Sequence, residues 1–274
     1  MERRSRLADD LPPVCRLGLA TRGNTSLDPS EVLWAVDQGV NYLNWCGHED
    51  GMSKAIRRFG SRRSEVVIAW QMSARMADDA TASLDSALTA LRADAIDILT
   101  FYYVESAREW ARVREPDGAY DAMRRARDEG KIRALGLTSH QRQMAADIAS
   151  APGSPLDMLM LRYNAAHRGA EEDVFPTTDR LGVPFVAYTC LRWGALMDPT
   201  PHDPRGWLPP SAPEWYRYAL ANPSVSVALM APNGRAELEA NATLLTDWRA
   251  PAPSEMAAME AHGARVYQHA GGFP

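Results

Sequence analysis

Short apolar runs rich in β-branched and aromatic residues alternate along the chain with stretches whose apolar residues recur at helical spacing. The runs are CRLGLAT (15–21), VNYLN (40–44), EVVIAWQ (65–71), AIDILTFYY (95–103), IRALGLT (132–138), LDMLMLRYN (156–164), VPFVAY (183–188) and VSVALM (225–230). Continuous apolar runs of this length predict strands buried on both faces of a parallel sheet. Between them, DPSEVLWAVDQG (28–39) opens on Asp, Pro and Glu and closes on Gly, the start and stop signals of a helix. TASLDSALTALRA (81–93), AYDAMRRARDEGK (119–131) and RAELEANATLL (235–245) carry apolar residues at i, i+3 and i+4. Eight strand–helix units in a row predict an α/β fold, a closed (β/α)8 TIM barrel with residues 1–274 as one domain. The Pro-rich stretch MDPTPHDPRGWLPPSAPE (197–214) predicts a long loop after strand seven. PEWYRYAL (213–220) reads as a helix packed on the barrel, with Tyr216 and Arg217 reaching toward its mouth, and a further helix ends the chain.

Composition narrows the class. With 46% hydrophobic and 24% charged residues, the chain has the balance of a soluble globular protein with a sizeable core. Its net charge of −5 is spread without a basic stripe, which argues against a nucleic-acid partner. No apolar run is long enough to span a membrane, and MERRSRLADDLPP lacks the apolar stretch of a secretory signal. Cys15, Cys46 and Cys190 are odd in number and far apart, unlike a disulfide framework or a zinc site. The expectation is a cytoplasmic protein with reduced thiols that meets a small molecule.

Three segments in order resemble the aldo-keto reductases. GKIRALGLTSH (130–140) is similar to that family's fifth-strand segment, GVPFVAYTCLRWGALM (182–197) to its seventh, and LANPSVSVALMAPNGRAELEANATLL (220–245) to its eighth-strand, cofactor-binding segment. The resemblance implies hydride transfer from NADPH to a carbonyl, with a Tyr donating the proton beside Lys, Asp and His. Here the Asp position carries Asn44, the Tyr position falls on Glu49 or Asp50, the Lys position on Gln71 and the His position on Tyr102. All four groups are exchanged. Asn44 and Gln71 are expected to form a neutral amide pair. On the cofactor side the resemblance implies Tyr188 as the ring that stacks on nicotinamide. It further implies Ser139 as half of an amide-binding pair whose Asn is replaced by His140, and Asn241 as the adenine contact with Arg235 nearby. Met160 replaces the Gln that holds the carboxamide, and Glu237 the Arg used for the 2′-phosphate. LRYNAAHRGAEEDVFP (161–176) resembles a divergent branch of such chains.

The residues themselves offer other chemistry. His48, Glu49 and Asp50 follow strand two as candidate acid–base groups, since histidine is the side chain that changes charge near neutral pH. A solvated loop is the plainer reading. The same trio with His140 could hold a metal, but the spacing follows no metal motif, so no metal is expected. Cys46 is expected as a buried thiol rather than a nucleophile. Tyr102, at the end of strand four, is either a relocated proton donor or a wall of the pocket, while Tyr103 is expected to face the helices. Arg162, His167, Arg192, Trp193 and His140 are candidates for binding a polar or anionic substrate, because guanidinium forks suit carboxylates and phosphates. The alternative for Arg162, His167 and Arg168 is a structural network with Glu171 and Glu172. Three readings follow: a barrel enzyme with proton-transfer chemistry in place of the standard set; an NADP(H)-dependent reductase with a substitute donor; and a catalytically silent binding barrel.

Overall fold

A computed structural model describes residues 1–21 and 25–269. An antiparallel pair, β1 (Arg4–Ser5) and β2 (Val14–Cys15), precedes eight strands: β3 (Leu17–Ala20), β4 (Tyr42–Trp45), β5 (Val67–Met72), β6 (Ile96–Phe101), β7 (Ile132–Ser139), β8 (Met158–Arg162), β9 (Phe185–Tyr188) and β10 (Val225–Met230). The eight are all parallel and close on themselves through β10 and β3. The expected TIM barrel is the observed fold, and each strand lies within or beside the run that predicted it. Among the described residues no helix is long and apolar enough to cross a membrane.

Alternation along each strand builds two cores. Tyr42, Val67, Ala69, Ile98, Ala134, Met158, Met160, Val186 and Val227 fill the barrel interior, and Leu7, Leu11 and Val14 of the first hairpin join that cluster. The intervening residues, such as Leu43, Trp45, Ile68, Trp70, Leu135 and Leu159, pack under the helices. The helix Gly51–Ile56 is capped by Asp50, whose carboxylate accepts from the Ser53 amide at 2.7 Å.

After β9 the chain makes a 3-10 turn, Arg192–Met197, then runs without regular structure to the helix Ala212–Ala221. This is the long loop expected from its prolines. The last helix, Pro253–His269, holds the loop in place. The buried His262 turns its Nδ1 to the carboxylate of Asp203 at 2.9 Å and its Nε2 to the carbonyl of Leu196 at 3.1 Å. Arg265 donates to the same carboxylate at 2.7 Å, and Trp207 covers the imidazole at 4.5 Å between ring centroids. Gly263 lets the same helix approach Ala165, whose carbonyl oxygen would sit 2.3 Å from an added Cβ.

Candidate active site

The inward parity that fills the barrel continues through the last residues of the strands into its mouth. Residues two steps beyond the interior layer, Asn44 after Tyr42, Gln71 after Ala69 and Tyr188 after Val186, line a cleft of about 500 Å³ with Met160, Tyr102 and Ala20. That volume suits a small molecule. Tyr103, Tyr216, Trp193 and Leu229 add wall, and Asn233 and Glu237 stand at the far side.

Tyr103 departs from expectation. Strict alternation would send it toward the helices, but its φ of 43° breaks the strand and returns its ring to the mouth. There it stacks on Tyr102 with centroids 4.0 Å apart. Two groups fix this turn: Thr138 accepts from the Tyr103 amide at 2.8 Å, and Arg75 donates to the carbonyls of Tyr102 and Tyr103 at 2.7 and 3.1 Å. Burial, and then the neighbouring phenol of Tyr102, push the Tyr103 hydroxyl up to about 12. The inward turn of Tyr103 has no signature in a run of apolar residues, and Arg75 meets it from 28 residues away.

Asn44 and Gln71 share the cleft but not a hydrogen bond. In register Asn44 lies beside Ala69, one layer below Gln71, and the Gln71 amide donates instead to the Met160 sulfur at 3.4 Å. His48 and Glu49 do not line the cleft. Glu49 is exposed and pairs with Arg57 at 2.6 Å, which holds its carboxyl below the usual range. His48 is exposed, with Nε2 3.4 Å from the half-buried Cys46 sulfur, whose thiol also donates to Asp50 at 3.2 Å. Burial pushes that thiol up. Among the described residues no three His, Cys, Asp or Glu side chains are set to hold a metal.

The family profile described as aldo/keto reductase matches residues 31–206. The chain belongs to the aldo/keto reductase family. The holo form of aldo-keto reductase AKR11C1 from Bacillus halodurans aligns with TM-score 0.74 and 18% identity over 97% of this chain and 98% of that one. A crystal structure provisionally described as 2,5-diketo-D-gluconic acid reductase B aligns with TM-score 0.71 and 22% identity over 91% and 88%. At these identities the likeness is one of fold. No curated protein matches the chain at a significant level.

On this aldo/keto reductase barrel the groups expected to meet a nucleotide are scattered. Ser139 follows Thr138 on the outward parity; it is fully buried, and its hydroxyl donates to the Val104 carbonyl at 2.7 Å. Tyr188 lines the cleft and donates its hydroxyl to the Ser139 carbonyl at 3.2 Å. Asn241 is buried within the helix Arg235–Ala242, and Arg235 pairs with Glu239 at 2.7 Å while stacking over Trp34 at 4.1 Å. Glu237 accepts from the Asn233 amide at 2.8 Å at the start of the same helix.

Of the expected substrate-binding groups, Trp193 lines the cleft and is half exposed. His140 stacks behind Tyr103 at 4.3 Å and is tied to Glu105 at 3.1 Å. Arg162 and Arg192 are buried beside the cleft rather than on its surface. Burial, reinforced by Arg162, Arg192 and Arg142, pushes His167 down to about 4. Arg168 pairs with Glu171, one link of the network expected as an alternative, and also with Glu260, which was not expected. Arg217 is buried against Glu214 and Asp247 and does not reach the mouth. Thr189, Arg192 and Trp193 all have positive φ, so backbone strain concentrates in the segment that walls the cleft.

Proposed function

We propose that this aldo/keto reductase barrel is an enzyme for a small polar molecule, working by proton transfer without a change of oxidation state, such as dehydration, isomerisation or cyclisation. Tyr102 is the proton-transfer group. A phenolic hydroxyl both donates and accepts, and stacking on Tyr103 fixes the ring at the strand end. Tyr103 keeps its proton and serves as a standing donor, while Asn44 and Gln71 offer uncharged amides to orient the substrate.

The observation that carries this reading is where Ser139 spends its hydroxyl. It is bonded to Val104 behind the strand, away from the cleft, and Met160 offers only a thioether on the neighbouring strand. Neither presents the polar pair that a nicotinamide carboxamide needs. At the opposite rim Glu237 would repel a phosphate, and Arg235 is engaged by Glu239 and Trp34. These residues do not fit NADP(H). Tyr188 in the cleft favours the second reading, a reductase with a substitute donor. Titration of NADPH and NADH followed by nucleotide fluorescence separates the two. The expected result is no saturation below about 1 mM, the weak end of specific binding; a micromolar dissociation constant would restore the reductase.

A further inference from the structure

The cleft is walled by five aromatic rings, Tyr102, Tyr103, Tyr188, Trp193 and Tyr216, and meets one ionised side chain among the described residues that line it, the carboxylate of Glu237. Tyr103 is already stacked on Tyr102 and packed by His140, and Trp193 has the Arg192 guanidinium 6.0 Å from its ring, so the rings serve as apolar walls for the body of an organic molecule. The placement of the charge is equally informative. Tyr102 and Tyr103 follow β6, the fourth barrel strand, and Glu237 follows β10, the eighth. In a closed ring of eight, these two ends face each other across the mouth. One Glu237 oxygen accepts from the Asn233 amide at 2.8 Å, which holds the carboxylate at the rim. Arg162 and Arg192, the groups that would call for an anion, are buried beside the cleft rather than lining it.

Resting on the proton-transfer reading above, we infer that the molecule this cleft accepts is a small organic amine. Its ammonium group lies toward Glu237, its body lies against the rings, and its reacting hydroxyl or carbonyl lies at Tyr102. Glu237 is a specificity residue and takes no part in the proton transfer. Attraction of the amine and repulsion of the acid by one exposed carboxylate each contribute modestly, and together they favour the amine over an acid of the same shape by about tenfold.

Two probes of matched shape and opposite charge test this, tyramine and 3-(4-hydroxyphenyl)propionate, titrated calorimetrically into the full chain. Tyramine is expected to bind about tenfold more tightly. Glu237→Gln keeps an acceptor for the Asn233 amide and is expected to reduce the preference to roughly threefold or less. Equal or tighter binding of the acid would overturn the inference, as would an unchanged preference in Glu237→Gln. So would the absence of binding by either probe at roughly 10 mM. Tight NADPH binding in the same cell would sink the proton-transfer reading alone, and loss of the amine preference would sink the charge assignment alone.

Discussion

Replacing Asp203 with alanine is expected to lower the unfolding free energy by about 3–5 kcal/mol and the midpoint of thermal unfolding by roughly 10 °C. The carboxylate has 6% side-chain exposure and gathers Arg265, the buried imidazole of His262 and the Thr200 amide. Removing it strands a buried imidazole and a partly buried guanidinium at once, and an uncompensated buried group costs more than the pair contributed. Burial alone would raise the Asp203 pKa. The Thr200 amide, His262 and Arg265 outweigh it and hold the carboxyl below the usual range. A depressed carboxylate contributes stability that is present above its unfolded pKa, about 3.9, and lost as pH falls through the folded value. Wild-type protein should therefore lose stability on acidification below about pH 4, and Asp203→Asn should lack that component. Thermal melts between neutral pH and acid decide this. Equal midpoints for wild type and Asp203→Ala would show that the loop after β9 does not depend on this tether. The loop also carries Trp193 and Met197, so the same variant should lose order in the cleft wall.

Tyr102→Phe is expected to lower turnover by about 10²- to 10⁴-fold, the contribution of a positioned proton donor, equivalent to about 3–5 kcal/mol of barrier. The variant removes one oxygen and keeps the ring that stacks on Tyr103 at 4.0 Å, so fold and ligand binding should change little. A fall in kcat with KM nearly constant marks an interaction made in the transition state. His48→Ala serves as the contrast: its side chain is exposed beside Cys46, away from the residues that line the cleft, and its turnover should match wild type. If His48→Ala lost activity and Tyr102→Phe kept it, the proton would belong to the β4 loop instead.

The barrel was legible because period-two alternation and helical spacing are local properties of the chain. The same parity placed Asn44, Gln71 and Tyr188 in the mouth, since each lies two residues beyond an interior position. Legibility ended where a single backbone angle or a distant partner decides. Tyr103 turned inward through a left-handed φ. Ser139 found Val104, 35 residues away, and the parity of β7 turned it from the cleft. Asp203 and His262 are 59 residues apart, and nothing near either announces the other. Glu49 satisfied itself with Arg57 on the outside of the loop, a choice that a dense cluster of polar residues leaves open.

The masses of the products decide between proton transfer and hydride transfer. Nucleotide-free protein would be incubated with a mixture of small hydroxylated and carbonyl-bearing amines, with and without NADPH, and the products weighed by mass spectrometry. Proton transfer gives a product isomeric with its substrate or lighter by one water, formed equally without nucleotide and lost in Tyr102→Phe. A product heavier by two hydrogens, appearing only when NADPH is supplied, would contradict it.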